Sequence, residues 1–342
     1  MGRMRRSLTF VIACAILVLG QVASPASACA CGGPAPIPGT EVDVDRETAI
    51  VRWDGQLEEI IMQLDMRSDA GETGLVVPTP SPATVTAGDP AVFESLLAAM
   101  EPEIVVEWDW WGGGLGGYGD GAPAGGAPPE VLARVQLGPV EAVTLAASDT
   151  AGLQDWLATN GYALSDAISA ELDPYVAAGW SFVALKLTGE EAFDGTLDPI
   201  RFTFESDSLV YPMRMSHAAD SPQTVRLYVL GDHRAEVTRP GGERLNAVTH
   251  VPWAGPLDDP ALLELGAFLT VIDLYFEDPA TQITSDLAIE DAAADDAVGQ
   301  TRTEVRRVEV LGVAAGPLVA VVVAVLLFVG FGLLLGRARA KR

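Results

Sequence analysis

Two cysteines one residue apart, Cys29 and Cys31, are the side chains whose spacing most directly suggests chemistry. Paired thiolates bind zinc or carry out redox reactions, but a structural zinc site takes four ligands. The only other cysteine, Cys14, lies in an apolar N-terminal stretch and supplies no such ligand. Three interpretations therefore stay open for Cys29 and Cys31: a disulfide or free thiols, lipidation at a lipobox-like Ala-Ser-Ala-Cys, and a metal or redox role.

The three histidines, His217, His233 and His250, are far apart and form no His-Glu-x-x-His pair, so a metal site would need ligands from separate strands. The sequence has no Gly-x-Ser-x-Gly elbow and no Gly-x-x-x-x-Gly-Lys-Ser/Thr phosphate loop. Residues 114–119 satisfy Gly-x-Gly-x-x-Gly, but prolines follow where a dinucleotide-binding helix must begin. We therefore assign no catalytic, cofactor-binding or metal residue, and the cofactor is unknown.

Asp43, Asp45 and Glu47 alternate like the start of a calcium loop, but Thr48 stands where such a loop requires glycine. Alternate residues of a β-strand share a face. The spacing therefore predicts that these acids form one solvated face of a strand, with valines on the other face.

Three tryptophans, Trp108, Trp110 and Trp111, lie in a Gly/Pro/Trp-rich segment, residues 107–130, which we interpret as a loop or an insertion. Large aromatic side chains on such a segment either contact a partner or fold back and cap the core. Both alternatives stay open, and we take the three tryptophans as candidates for partner contact.

The charge of the chain is concentrated between residues 29 and 309. This region holds all 47 acidic residues and 14 of the 21 basic residues, which gives it a formal charge of −33. A surface of this kind repels phosphate backbones, so a nucleic-acid partner is excluded. It favours solubility and cationic or basic partners.

Residues 1–28 have the composition of a secretory signal peptide, with three arginines before an apolar run at 8–19. The run is too short for a membrane span, because twelve residues make a helix of about 18 Å against a hydrocarbon core of about 30 Å. Small residues precede a predicted cleavage site between Ala28 and Cys29. The mature protein is therefore expected to begin at the cysteine pair, outside the cytoplasm.

Residues 310–336 predict a transmembrane helix, since no charged residue occurs from 310 to 335 and 19 residues span about 28 Å. A basic cluster follows at Arg337, Arg339, Lys341 and Arg342, and such clusters stay in the cytoplasm. We expect a single-pass protein of the cell membrane, with an extracytoplasmic N-terminal region and a cytoplasmic tail at 337–342. Glycines four residues apart at 312–316 and 332–336 would permit a homodimer through this helix, although chance gives the same spacing.

The exported region, residues 29–285, predicts an α+β fold rich in antiparallel sheet with a few helices. Residues 40–53 and 56–68 alternate polar and apolar side chains around Asp54-Gly55, which predicts a hairpin. Asp89 followed by proline predicts the start of a helix.

Further helices are expected at 148–160 and 165–178, from capping residues and apolar spacing. From residue 179 onward, strand-like runs recur between turn residues. The acidic and polar residues 286–309 predict a solvated stalk that leads to the membrane.

Several strings resemble the bacterial domain-of-unknown-function 2330 family when taken together: RETAIVRW, GLVVPTPSPATVTAGDPAVFESL, LQDWLATNGY, PIRFTFESDSLVYPMRMS and RLYVLGDHR. The resemblance extends from Cys29 to about Asp286. It implies a signal peptide, a Cys-x-Cys-Gly-Gly start and a final membrane helix. It implies no activity and no catalytic residue.

These expectations favour a membrane-anchored extracytoplasmic module that is not an enzyme and that binds an envelope protein or ligand. The alternative is an exported metal- or thiol-dependent enzyme that uses Cys29, Cys31 and one or more of the scattered histidines.

Overall fold

A computed structural model describes residues 32–35, 40, 42–109, 130–137, 140–146, 150–161, 164–189, 192–299, 301–310 and 313–339. Within that set, only the backbone is described for residues 43, 45, 103–109, 130–136, 301–303, 305, 307, 313 and 331–339. The chain divides into two compact units. Unit 1 takes its residues from Met1–Leu96 and Ala124–Val298, and unit 2 from Leu97–Pro123 and Gly299–Arg342.

The largest sheet of unit 1 has eight strands, which we number along the chain together with all others. They are β2 (Val42–Trp53), β3 (Leu57–Ser68), β5 (Thr84–Ala87), β10 (Phe193–Thr196), β11 (Ile200–Glu205), β13 (Gln223–Gly231), β15 (Val248–Pro256) and β16 (Phe268–Phe276). Their order is β15–β16–β13–β2–β3–β11–β5, and β10 pairs with one end of β3. Every pairing is antiparallel except that of β13 with β2, which is parallel.

Two smaller sheets complete unit 1. An antiparallel sheet in the order β1–β4–β9–β8–β7 has five strands: β1 (Gly33–Pro34), β4 (Glu72–Thr79), β7 (Glu130–Leu137), β8 (Val140–Ala146) and β9 (Ser181–Thr188). An antiparallel sheet in the order β12–β17–β14 has three strands: β12 (Val210–Tyr211), β14 (Ala235–Thr238) and β17 (Leu287–Asp291).

One apolar core is shared by the three sheets. The eight-stranded sheet contributes Met62, Phe202 and Leu227, the five-stranded sheet contributes Val183, and the three-stranded sheet contributes Leu287. Because side chains alternate along a strand, each sheet has one face in this core and one face turned away from it. We call the second face of the eight-stranded sheet its outer face.

Short helices lie between the strands, and several of them pack on faces that point away from the shared core. They are α1 (Pro90–Ala99), α2 (Thr150–Thr159), α3 (Asp166–Ala177), α4 (Pro260–Leu263) and α5 (Pro279–Gln282), with a 3-10 helix at Arg214–Ala218. Leu157 of α2 and Leu172 of α3 pack with Phe182 of the five-stranded sheet. Phe93 of α1 meets Tyr228 of the eight-stranded sheet edge to face, with ring centroids 6.2 Å apart.

Unit 2 contains two short sheets and the C-terminal helix. Strand β6 (Glu103–Asp109) pairs in parallel with β18 (Thr301–Arg307), and β19 (Glu309–Val310) pairs with β20 (Val313–Ala314). Helix α6 (Ala315–Arg339) follows. Within the part of the chain whose side chains are described, no helix is long and apolar enough to cross a membrane.

The sheet-rich α+β class is confirmed, as is the hairpin at residues 54 and 55. The Asp54 carboxylate accepts hydrogen bonds from the backbone N–H groups of Gln56 at 3.0 Å and Leu57 at 2.7 Å. These donors lower the pKa of the Asp54 carboxyl. Gly55 has φ +96°, a left-handed conformation that costs glycine least. Local turn chemistry therefore fixes the hairpin.

The prediction that Glu47 lies on a solvated face is wrong. The register between β2 and β3 shifts between Val44 and Arg46, so one residue is inserted and the alternation of faces reverses. Glu47 consequently points into the core, where it is 1% exposed and accepts a hydrogen bond from the Tyr211 hydroxyl. The side chains of Asp43 and Asp45 lie outside the described part.

Strand β17 begins inside residues 286–309, the segment expected to form a polar stalk. Its alternate residues Leu287 and Ile289 are apolar and enter the shared core. Asp286 is also buried, and it accepts hydrogen bonds from the Tyr175 hydroxyl and from the Met213 N–H at 2.9 Å. The first part of this segment is therefore held within unit 1.

We predict that Leu227→Ala lowers the free energy of unfolding by about 2–5 kcal/mol, because truncation leaves a cavity in a closely packed interior. Leu227 is fully buried and is paired with Ala49 in the parallel register. Urea denaturation of the purified chain measures the loss. Thr224→Ala, at an exposed position of the same strand, should change stability by less than about 0.5 kcal/mol. Similar losses in both variants would contradict this placement of β13.

Candidate functional site on the outer sheet face

Five polar side chains lie in one row across the outer face of the eight-stranded sheet. Backbone register pairs each residue with the next, from β3 through β2, β13 and β16 to β15. We call these residues the polar row: Gln63, Thr48, Arg226, Asp273 and His250. Arg226 faces outward because its strand neighbours Val225 and Leu227 enter the shared core.

The centre of the polar row is a bidentate ion pair. Arg226 Nε lies 2.6 Å from Asp273 Oδ1, and Arg226 Nη2 lies 2.8 Å from Asp273 Oδ2. Hydrogen bonding to Asp273 raises the pKa of the Arg226 guanidinium, so this group stays charged. Burial raises the pKa of the Tyr228 hydroxyl, two residues further along the same strand. The charge of Arg226 is thus held in one place by both oxygens of Asp273.

The polar row separates a covered part of the outer face from an exposed part. On one side lies an apolar row, Ile61, Ile50, Tyr228, Val271 and Trp253, again paired by register. Phe93 of α1 packs on its central residue, Tyr228. On the other side, Val248 is 65% exposed and lies directly opposite Tyr275, which is 39% exposed.

We define the exposed patch as Val248, Tyr275, His250, Arg226 and Asp273. It joins an aromatic ring and an aliphatic side chain to a fixed ion pair on neighbouring strands. Tyr and Arg are the residues most enriched at the energetic centres of protein interfaces, where apolar contact and directed hydrogen bonds combine. The exposed patch therefore has the composition of a binding surface.

The same residues are poorly placed to transfer protons. His250 Nδ1 lies 3.9 Å from Asp273 Oδ2, which is too far for a hydrogen bond. Both oxygens of Asp273 are already engaged by Arg226, so this carboxylate does not orient the imidazole. The geometry therefore favours recognition by the exposed patch over acid–base catalysis.

A second ionic cluster lies on the outer face at Glu59. Its carboxylate is 3.3 Å from Arg52 Nε and 3.0 Å from Arg201 Nη1, and the Glu59 side chain is only 10% exposed. A carboxylate this buried needs compensating charge, which the two arginines supply. We interpret this cluster as structural.

Glu58, the neighbour of Glu59, points in the opposite direction and is fully buried in the core. Its Oε2 accepts a hydrogen bond from the Val210 N–H at 3.3 Å, and its Oε1 has no partner within the described structure. Burial raises the pKa of the Glu58 carboxyl well above its usual value. A cavity of about 10 Å³ between the sheets has room for one water and is lined mainly by apolar side chains such as Leu64 and Leu185, not by Glu58. Glu58 is therefore buried in the core and does not line this cavity.

The three histidines do not converge on a metal site. His217 Nδ1 lies 2.8 Å from the Ile283 carbonyl oxygen, and His233 Nδ1 lies 2.9 Å from Asp295 Oδ2. Among the residues that the structure describes, no group of three His, Cys, Asp or Glu side chains is placed to hold a metal ion.

The remaining candidate residues lie largely outside the described part of the chain. This is true of Ala28, Cys29, Cys31, Trp110, Trp111, Lys341 and Arg342. Trp108 lies in β6, and Arg337 and Arg339 lie in α6, with only the backbone described for all three.

Sequence reasoning did not find the exposed patch, although one local signal was present. Arg226 and Tyr228 on one strand, and Asp273 and Tyr275 on another, repeat with the period of two that brings side chains to one face. The sequence pattern does not show which residues of the two strands pair. This register joins strands about 45 residues apart and depends on how the whole sheet assembles.

The family model described as an uncharacterized protein conserved in bacteria, DUF2330, matches residues 25–290. The chain belongs to the DUF2330 family. This confirms the resemblance found in the sequence, and both the polar row and the exposed patch lie inside the matched range.

The comparisons with curated proteins and with solved structures support no further conclusion. No curated protein matches the chain. Among solved structures, the crystal structure of baculovirus P35 is similar at 9% sequence identity and a TM-score of 0.38, over 78% of this chain and 100% of that one. A likeness at this level carries no argument about the fold or the function.

We predict that Glu58→Gln gains stability relative to the wild type as pH rises above about 4.5, the ordinary pKa of a glutamate carboxyl. A folded-state pKa above the unfolded value means that the protonated group stabilises the fold at low pH. That contribution to the free energy of unfolding is lost as pH rises through the folded pKa. The loss is about 1.4 kcal/mol for each pKa unit by which the folded state exceeds the unfolded state. Urea denaturation across this range measures the change.

The matched control for Glu58→Gln is Glu59→Gln, on the opposite face of the same strand. It removes a carboxylate paired with two arginines and should destabilise the chain at neutral pH. A wild type and a Glu58→Gln variant with parallel pH profiles would show that Glu58 is not buried as described.

We predict that Asp295→Asn lowers the pKa of His233 toward its ordinary value of 6.5. The hydrogen bond that the His233 imidazole donates to Asp295 is the main cause that raises the pKa of His233, since the carboxylate stabilises the protonated imidazole. Titration followed by NMR measures the shift. Asp291→Asn removes a carboxylate with a smaller effect and should move the pKa less. An unchanged pKa in Asp295→Asn would contradict the pairing.

Proposed function

We propose that this DUF2330 chain is a membrane-anchored extracytoplasmic binding module, and that the exposed patch is the surface with which it binds a protein of the cell envelope. The observation that carries the proposal is the pairing of exposed Val248 and Tyr275 beside the fixed Arg226–Asp273 ion pair. Apolar side chains exposed next to directed polar groups are favoured at protein interfaces.

The rigidity of the exposed patch supports this role. Its residues lie on paired strands rather than on loops, and Arg226 is held by two oxygens of Asp273. A surface already fixed in its binding geometry loses less conformational entropy when a partner docks. The overall charge of −33 in residues 29–309 adds long-range attraction toward a partner with basic groups around its contact surface.

Helix α6 supports the membrane anchor. Its consecutive residues Leu326, Leu327 and Phe328 are 64%, 69% and 81% exposed. Consecutive helical residues point about 100° apart, so apolar side chains surround this part of the helix. Pro317–Leu335 carries no charge over 19 residues, which span about 28 Å, and basic residues follow at once.

Export of the N-terminal part remains part of the same proposal. The support is the arginine-rich start, the short apolar run and the small residues before Cys29. Together with the basic residues from Arg337 to the C-terminus, these features give an orientation in which unit 1 lies outside the cytoplasm.

Quantitative affinity enrichment from cross-linked native membranes tests the binding surface. We predict that the paired substitution Val248→Ser with Tyr275→Ser lowers recovery of the main cross-linked envelope protein about tenfold, as expected when about 1.4 kcal/mol of binding energy is lost. Leu263→Ser serves as the matched control, since Leu263 is 46% exposed on α4, away from the patch.

Recovery that is unchanged in the paired variant would overturn the exposed patch as the binding surface. Recovery that falls equally in Leu263→Ser would overturn it as well, because the loss would then follow from general damage to the fold.

A further inference from the structure

We propose that the β6–β18 ribbon, the parallel pair of Glu103–Asp109 and Thr301–Arg307, ends in the phospholipid headgroups of the outer leaflet, with Trp108 and Arg306 as its lipid-contacting positions. This inference rests on the proposed membrane span of α6. It assigns a lipid-binding role to the β6–β18 ribbon, which is not part of the membrane helix.

The first observation is the direction of the two strands. Because β6 and β18 are parallel, they reach their carboxyl ends together, with Trp108 opposite Arg306 and Asp109 opposite Arg307. Neighbouring strands are about 4.8 Å apart and rise about 3.3 Å per residue. Trp108 is therefore at the same end of the ribbon as Val308, the residue that follows β18.

The second observation is where α6 begins. The backbone N–H of Ala315, the first residue of α6, donates a hydrogen bond to the Val308 carbonyl oxygen at 2.8 Å. The β19–β20 hairpin between them folds back on itself, so the chain returns to the end of β18 before the helix starts. The end of the ribbon and the start of the helix are thus adjacent within unit 2.

These two observations determine how close the ribbon lies to the membrane. If α6 enters the hydrocarbon near Pro317, the Trp108 backbone lies about 8 Å from Val308, close to the headgroup layer that flanks a core of about 30 Å. Glu103 is five residues before Trp108 on β6 and lies about 16 Å further from this end.

The residue types match the chemistry of that layer. Tryptophan is enriched at membrane interfaces because its ring is apolar and its N–H is polar. Arginine binds phosphate through a planar fork of donors. The Arg306 side chain is 54% exposed and has only one close carboxylate, with its Nη2 3.0 Å from Glu304 Oε2 among the described side chains. Its guanidinium thus has donors left for a phosphate.

Spin labelling of the full chain in vesicles of phosphatidylcholine and phosphatidylglycerol tests the inference. Cys14, Cys29 and Cys31 are first replaced by serine, and single cysteines are then placed by Trp108→Cys, Glu103→Cys and Leu326→Cys. Collision of each label with oxygen and with a water-soluble nickel chelate gives its depth. We expect the label at 326 in the hydrocarbon, the label at 108 within about 5 Å of its boundary, and the label at 103 about 16 Å further out, in water.

The outcomes separate the two proposals. A label at 326 that is fully accessible to the nickel chelate overturns the membrane span and, with it, this inference. A label at 326 in the hydrocarbon together with a label at 108 as accessible as the one at 103 overturns the ribbon's lipid contact alone.

The role of Arg306 has its own control in the same system. With the label at 108, Arg306→Gln should move the label toward water in vesicles that contain phosphatidylglycerol. Arg302→Gln changes the same residue type four positions earlier on β18 and should leave the depth unchanged. Equal depths in both variants and the wild type would show that Arg306 does not bind headgroups.

Discussion

The parallel pairing of β2 with β13 is the constraint on which the rest of unit 1 depends. It joins the N-terminal hairpin of β2 and β3 to β13, β16 and β15, which lie far later in sequence. Because successive side chains face opposite sides, a single register places Leu227 in the core and Arg226 on the outer face. A slip by one residue would bury the guanidinium and expose the leucine, so core packing strongly selects this register.

The candidate site follows from that register without any specialised loop. Thr48, Arg226, Asp273 and His250 meet because four strands are aligned, and Phe93 of α1 packs on Tyr228, the central residue of the apolar row beside them. Burial of the apolar row stabilises the outer face, and the exposed patch beside it stays accessible to solvent. The same β-sheet thus packs in the core with its inner face, and part of its outer face carries the proposed recognition surface.

Local features of the fold could be predicted from the sequence, because short-range interactions determine them. The Asp54-Gly55 turn forms through hydrogen bonds to the next few residues, and α3 begins at Ser165, whose side chain accepts from the Ile168 N–H at 3.2 Å. The inward direction of Glu47 could not be predicted, since it follows from a register shift of β2 against β3. The exposed patch was missed for the same reason, because strand pairing over long separations leaves no local pattern.

Hydroxyl-radical footprinting of native membranes against the purified chain in detergent tests the central claim, that the exposed patch is covered by a partner in the cell envelope. Val248 and Tyr275 on the patch and Leu263 on α4 are all exposed in the isolated chain. The account predicts that oxidation of Val248 and Tyr275 is several-fold lower in native membranes, while oxidation of Leu263 is the same in both samples. Equal oxidation of Val248 and Tyr275 in the two samples would contradict it.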